Sequence, residues 1–229
     1  MKYVIDIQDL SYSWPDSKTP VLKIPQWQVE QGQGIFLYGA SGSGKSTLLN
    51  CLAGILRPQQ GNIRILDSEL TTMGARARDR FRAQHMGFIF QQFNLLPYLT
   101  VETNIQLAAH FGRPSNKQFD YDIKELLARL SLDSHILSKQ AGCLSIGQQQ
   151  RVAVARALIN QPQIIIADEP TSALDTDSRD NFIELLLNCA RTNNSCVIFV
   201  SHDRSLATHF DLSLNIDDIN KPEAVTHVA

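Results

Sequence analysis

Long apolar runs are missing from this chain of 229 residues. None approaches the roughly 20 residues that span a bilayer, and the longest, such as VIFV and IIIA, have strand length. An excess of charge of either sign is missing too. Lys and Arg number 21 and Asp and Glu 23, a formal net charge of −2, which argues against a strongly basic nucleic-acid binder. Cysteine is scarce. Cys51, Cys143, Cys189 and Cys196 form no CxxC pair, a pattern that fits reduced cytosolic thiols and speaks against structural zinc. There is no internal repeat and no low-complexity tract. The first residues, MKYVIDIQDL, alternate apolar and polar side chains and carry acids early, so they read as a strand and not as a signal peptide.

What is present is short apolar strands alternating with helical patterns, in a chain that is 43% hydrophobic. YVIDI and VLKIPQWQV are strand-like, with Pro25 predicting an edge or a bulge in the second. IFLYG runs into a glycine-rich turn and then the helical KSTLLNCLAGIL. GNIRIL reads as a strand, RARDRFRAQ as a helix, and MGFIFQ as a buried strand. From about residue 93 to 160 no strand is expected, whereas NIQLAAHF, DIKELLARLSL and the segment after Ser145 have helical period. Strand and helix then alternate again through QIIIADE, RDNFIELLLNCARTN, SCVIFVSH, RSLATHF and LSLNID. This order predicts a largely parallel sheet covered on both faces, with a helical insert. NKPEAVTHVA, at the end, is polar and expected to fray.

GASGSGKST, Gly39 to Thr47, matches G-x-x-x-x-G-K-[ST] in full, between a strand and a helix. Its glycines let backbone N–H groups turn inward onto phosphate oxygens, and the helix start adds a positive dipole end. Lys45 can reach outer phosphates, and the Ser46 hydroxyl can ligate magnesium. A flexible Gly/Ser loop is the bland alternative, but the four fixed positions would arise in roughly one random chain in a hundred of this length. QIIIADEP ends a strand in two acids, at the sheet edge where ligands of open parallel sheets sit. Asp168 can hold magnesium opposite Ser46, and Glu169 is placed to orient and deprotonate an attacking water. A DEP sequence alone is also a common surface turn. SCVIFVSH brings His202 to the same edge, where it would hydrogen-bond the γ-phosphate and the water. His85, His110, His135, His209 and His227 lack such a context and are read as surface or core residues.

These motifs make the chain resemble the ATP-binding subunits of ABC transporters over nearly its whole length. GASGSGKST resembles their Walker A loop, and IIIADEP their Walker B strand with its catalytic glutamate. SALD, Ser172 to Asp175, resembles the D-loop, LSIGQ the signature LSGGQ, and His202 the switch histidine. Gln91, closing the strand GFIF, matches the Q-loop glutamine, with Gln92 the alternative. Trp14 falls where the family places an aromatic on adenine, and Tyr12 is its alternative.

The resemblance implies a P-loop NTPase of α/β class: a RecA-like core with an antiparallel β part at residues 1–92 and 161–229, and an all-helical lobe at 93–160. It implies ATP hydrolysis with magnesium as cofactor. Glu169, His202 and Gln91 would be catalytic, and Ser46, Gln91 and Asp168 would ligate the metal. Trp14, Gly39, Ala40, Ser41, Gly42, Ser43, Gly44, Lys45, Ser46 and Thr47 would bind the nucleotide, together with Ser145, Gly147 and Gln148 across a head-to-tail dimer. The implied partners are a second ATPase subunit, identical or different, and an integral membrane permease, with no nucleic acid. The implied location is the cytoplasmic face of the membrane. GFIFQQFNLLPYLTVETN resembles the branch of lipoprotein-release, macrolide-export and cell-division ATPases, while FQQFNL and PTSALD also resemble polar amino-acid importers. A soluble ABC protein acting on ribosomes or DNA would carry two cassettes or a long coiled coil, and a binding-only module often loses the equivalents of Glu169 and His202. No regulatory domain is expected after His202.

Two stretches raise separate expectations. FNLLPYL, Phe93 to Leu99, is apolar for a loop. It either folds back onto the helical lobe or offers a permease groove lined by Leu95, Leu96 and Tyr98. In LSIGQQQR, Ser145 and Gln148 fit an S-x-x-Q capping box, and a helix start of this kind also binds phosphate. Ile146 replaces the family's glycine but keeps its N–H. A negative φ there leaves the backbone unstrained, so the cost should be steric fit across the dimer, giving a functional but slowed site.

Overall fold

The structure, a computed structural model, describes residues 3–15, 17, 19–112, 119–172 and 174–221. Two sheets organise it. The first is antiparallel, in the order β2-β1-β4-β5, built from β1 (Tyr3–Tyr12), β2 (Leu22–Glu30), β4 (Gln60–Ile65) and the short β5 (Ser68–Glu69). Pro25 lies in β2, which pairs only with β1. An edge strand is where a residue without an N–H interrupts no second ladder.

The second sheet is parallel, in the order β6-β7-β8-β3-β9. Its strands are β3 (Gly34–Tyr38), β6 (Met86–Phe90), β7 (Ile164–Asp168), β8 (Cys196–Val200) and β9 (Leu212–Asn215). Successive side chains point to opposite faces, and each face has its own core. Phe36, Ile165, Val197 and Phe199 pack on one side against helices α3 (Val101–Gly112), α5 (Ile146–Leu158) and α6 (Thr176–Thr192). Ile35, Leu37, Ile166 and Ile198 pack on the other against α1 (Lys45–Leu52) and the inner face of the antiparallel sheet. Every residue of β8 is buried, as a strand covered on both faces requires.

The remaining helices are α2 (Ala75–His85), α4 (Phe119–Arg129) and the short α7 (Ile216–Ile219). Between residues 93 and 160 the described residues contain helices, turns and the single bridge between Thr100 and Gln140.

Three local expectations are corrected. Helix α1 stops at Leu52, because Gly54 turns the chain at φ +65°. RSLATHF is a 3-10 turn over Arg204–His209. Asn220, expected in a frayed tail, is buried: its side chain donates to Val21 O and Ser43 O and accepts from Lys23 N. Residues 222–229 of that tail, and with them His227, lie outside the described residues.

Candidate functional site

The strand registers place the site. Leu37 and Asp168 both pair with Val200, and Phe90 pairs with Asp168. The carboxyl ends of β6, β7, β8 and β3 therefore lie in one row, with the segments beginning at Gln91, Glu169, Ser201 and Gly39 leaving from it.

The loop from Gly39 to Gly44 has the backbone that glycine permits. Gly42 and Gly44 stand at φ +79° and +100°. A Cβ on Gly39 would come 2.6 Å from Ile216 Cγ2, so α7 presses the loop from beneath. Asn220 holds the Ser43 carbonyl from the same side. Lys45, the first residue of α1, is only 8% exposed. Its Nζ donates 2.8 Å bonds to the carbonyls of Gly39 and Ala40, which brings the ammonium into the loop. Ser43 Oγ is enclosed and has no hydrogen-bond partner. Leaving a buried hydroxyl unpaired costs about 1–3 kcal/mol, and a phosphate oxygen is an acceptor that would satisfy it. Ser41 and Ser46 are exposed and Thr47 is buried. No acid stands in the first turn of α1, so the positive end of the helix dipole is left for an anion.

Asp168 ends β7. Burial pushes its carboxyl above the usual range, and the charges of Lys45 and His202 oppose the shift. Glu169 follows in left-handed backbone at φ +50°, with its N–H bonded to Val200 O at 3.0 Å. Burial raises its carboxyl too, again against the charge of His202. His202 is exposed, and its Nε2 lies 3.2 Å from Glu169 Oε1. That oxygen accepts no aligned hydrogen bond: the two side chains face each other and leave its lone pairs for another donor.

Gln91 was expected to close its strand. The strand ends at Phe90, and Gln91 and Gln92 are both exposed in the turn beyond it. Gln91 directly follows the residue paired with Asp168, so it leaves the same end of the sheet as Glu169. Trp14 is 46% exposed and meets Tyr12 edge-on at 5.3 Å, whereas Tyr12 is 6% exposed. Of the two aromatic candidates, Trp14 offers a free ring.

Ser145 and Gln148 form the expected capping box: Gln148 N donates to Ser145 Oγ at 3.3 Å and Ser145 N to Gln148 Oε1 at 3.1 Å. Ile146 starts α5 without positive φ, its side chain 58% exposed, and a Cβ on Gly147 would meet open space. Among the described residues no hydrogen bond joins Ser145–Gln148 to Gly39–Thr47. The link runs elsewhere. Buried Gln150, two residues on, donates to Pro170 O at 3.1 Å and ties α5 to the turn after Glu169. Asp175 of the SALD stretch caps α6 by accepting from Ser178 N; Ala173 lies outside the described residues.

FNLLPYL is divided. Phe93 is buried and Leu95 packs on the core, whereas Leu96 and Tyr98 are exposed. Buried Asn104 sets this by bonding the backbone of Leu96, Leu99 and Thr100. A groove of about 600 Å³ does exist nearby, but Phe88, Phe90 and Phe111 line it with Arg82, Arg156 and Asn160. Leu95, Leu96 and Tyr98 are not among its lining residues, so this groove is a different surface from the one expected of FNLLPYL. Asn104, Gln150, Arg156 and Asn220 were all missed from sequence, because a polar side chain that bonds distant backbone leaves no periodic signal.

The comparisons with known proteins agree with this geometry. Residues 22–172 match the family described as ABC transporter. The lipoprotein-releasing system ATP-binding protein LolD of Cytophaga hutchinsonii is 41% identical over 198 residues, 86% of this chain and 90% of that protein. The macrolide export ATP-binding/permease protein MacB of Shigella flexneri is 38% identical over all of this chain, which spans 36% of its length. Among solved structures, the dimeric ATP-binding cassette MJ0796 in a post-hydrolysis state bound to ADP and Pi superposes with a TM-score of 0.81. It is 30% identical, over 96% of this chain and 97% of that one.

Proposed function

Since the chain belongs to the ABC transporter family, as an ATP-binding and ATP-hydrolysing cassette, we propose that it powers a membrane complex of the lipoprotein-release and macrolide-export type, working as one of a pair of cassettes with a permease. The observation that carries this reading is the row of strand ends that sets Asp168 and Glu169 in the field of Lys45 and His202, next to a glycine-rich loop whose Ser43 hydroxyl is enclosed and unpaired. The relatives LolD and MacB belong to the branch named.

In this reading Trp14 stacks on adenine, while the N–H groups of Gly39–Thr47 and the Lys45 ammonium hold the phosphates. The donors suit magnesium: the Ser46 hydroxyl, the Gln91 amide oxygen and the Asp168 carboxylate are hard oxygen ligands. Burial already disfavours the charge of Asp168, and a cation beside it offsets that cost. Magnesium held there supplies positive charge against the outer phosphates. Glu169 orients a water and takes its proton as the water oxygen bonds to the γ-phosphorus. The bond from the γ-phosphorus to the bridging oxygen breaks, giving ADP and phosphate. His202 hydrogen-bonds the γ-phosphate and keeps Glu169 in place. The partner subunit's Ser145, Gly147 and Gln148 close the site with the start of its α5, whose unpaired N–H groups face the γ-phosphate.

The core comprises 1–92 and 161–229 and the helical lobe 93–160, with the joints at the turn after Gln91 and at the end of α5. The permease docks in the groove between α2, β6, α3 and α5, and through it the cassette sits at the cytoplasmic face of the membrane. Steady-state phosphate release tests the reading. The unmodified chain hydrolyses ATP, and Glu169→Gln lowers turnover by about 10²- to 10⁴-fold with ATP affinity retained. Turnover within a few-fold of the parent would remove Glu169 from the mechanism. Co-purification of a permease from membranes tests the partner.

A further inference from the structure

Arg156 lies ten residues into α5, about 15 Å along the helix from Ile146. It is partly buried, and among the described residues no carboxylate pairs with it. Its guanidinium instead forks onto two backbone carbonyls, Nη1 to Asn94 O at 2.5 Å and Nη2 to Phe93 O at 2.7 Å. Both acceptors stand in left-handed backbone, at φ +54° for Phe93 and +50° for Asn94. For a bulky buried residue such as Phe93 this backbone is rare, and it persists only where the surroundings over-determine it. The strained pair directly follows Gln91 and Gln92. A charge without a counter-ion is thus committed to holding the turn that carries Gln91.

The far end of the same loop is tied to the segment that leads into the same helix. Gly142 N donates to Pro97 O and Ala141 N to Leu99 O, both at 2.9 Å, and Val101 N donates to Lys139 O. The segment 139–142 runs straight into Ser145. Loop 93–100 is therefore fastened at its start by Arg156, near the end of α5, and at its end by the residues that lead into the beginning of α5.

We infer that Arg156 is a positioning residue that fastens the turn after Gln91 to α5, so that a displacement at Gln91 is passed to the phosphate-facing start of that helix. The inference rests on the proposed ATPase site. A residue that merely stabilises the fold would act on the folded fraction, whereas this one sets where Gln91 stands once ATP is bound.

Three variants separate these roles: Arg156→Met, which keeps an apolar stem; Arg156→Lys, which keeps the charge without the fork; and Arg156→Met with Asn94→Gly, since glycine takes left-handed backbone without steric cost. Arg156→Met should bind a fluorescent ATP analogue within about twofold of the parent, because Gly39–Thr47 is untouched, yet lose about tenfold or more in kcat with KM little changed. Arg156→Lys should keep part of the lost turnover, and Asn94→Gly should restore several-fold of it. Amide hydrogen exchange without nucleotide should speed up at Phe93 and Asn94, whose N–H groups are bonded to Phe90 O and Gln92 O, and not at Gly39–Thr47. Unchanged exchange at those amides, or a kcat that follows the folded fraction with no recovery on Asn94→Gly, overturns the inference. If the parent itself fails to hydrolyse ATP, the proposed function fails first, and the exchange measurement still decides the clamp.

Discussion

Replacing Ile146 by glycine separates the isolated cassette from the dimer. In the cassette the loss is small. Glycine is about 1 kcal/mol worse than the best helix formers inside a helix, and Ile146 is the first residue of α5, so about 0.5–1 kcal/mol of stability should go. That lowers Tm by about 1–4 °C for a chain of this size. In the dimer two effects oppose. Full burial of an isoleucine stabilises by about 1.5–3 kcal/mol, but only the 58% still exposed remains to be covered. The contact is therefore worth at most about 0.9–1.7 kcal/mol, or about 4- to 20-fold in the dimer equilibrium. Against it stands the bulk of a branched side chain where the other subunit's nucleotide approaches, and overpacking of this kind costs about 1–3 kcal/mol. The steric cost matches or exceeds the apolar gain, so Ile146→Gly should preserve or raise hydrolysis. ATP affinity of the monomer should not change, since Ile146 touches nothing in Gly39–Thr47 through hydrogen bonds. Analogue titration of dilute protein reads the monomer, sedimentation with ATP in a Glu169→Gln background reads the dimer, and phosphate release reads turnover. A fall in turnover beyond about 20-fold exceeds all the apolar contact that Ile146 can make, and would refute the account.

Asp168 and Glu169 make stability depend on pH. Both carboxyls are raised by burial, so in the acid range the native state holds more protons than the unfolded one. Stability then falls as pH rises from the ordinary carboxylate range through the raised pKa values and levels off above them. Asp168→Asn should flatten that slope and raise the nucleotide-free Tm at neutral pH, as read by calorimetry across the acid range. Gly87→Ala would set a Cβ 2.5 Å from Ala157 O and 3.1 Å from Pro162 Cγ. Neither neighbour is the end of a flexible side chain, so β6 must part from α5 at about 1–3 kcal/mol, a drop of about 2–12 °C in a thermal melt. Phe111→Glu, on the exposed wall of the groove, should abolish permease co-purification and leave ATP binding intact; retained co-purification would put the docking site elsewhere.

The placement of the candidate site residues was legible in the sequence because it depends on fixed positions at strand ends. Lys45, Asp168 and His202 follow short apolar runs, and a parallel register carries such runs to one edge whatever else the chain does. Pro25 marked an edge or a bulge because a missing N–H is tolerated at few places in a sheet, and β2 is an edge strand. The capping box was legible for a similar reason: its two partners are three residues apart, and local hydrogen bonds need no knowledge of the fold.

What escaped is what holds these groups in place. In FNLLPYL composition says that apolar groups are present but not which of them turn inward, since a loop has no period. Asn104 settles one end from eight residues away and Arg156 the other from more than sixty. Asn220 reads as the start of a polar tail, yet it is buried because Val21 O, Ser43 O and Lys23 N need a partner there. Each of these bonds runs from a side chain to backbone that the strand and helix ladders leave unpaired. The demand for it exists only after the loops have been folded against one another. The same property makes such residues effective in function. A side chain that bonds the backbone of a loop fixes where the next residues stand, as Asn220 does for the phosphate loop and Arg156 for the turn at Gln91. Positioning residues of the cassette are therefore to be sought among buried polar groups bonded to distant carbonyls, not among the motifs that announce its chemistry.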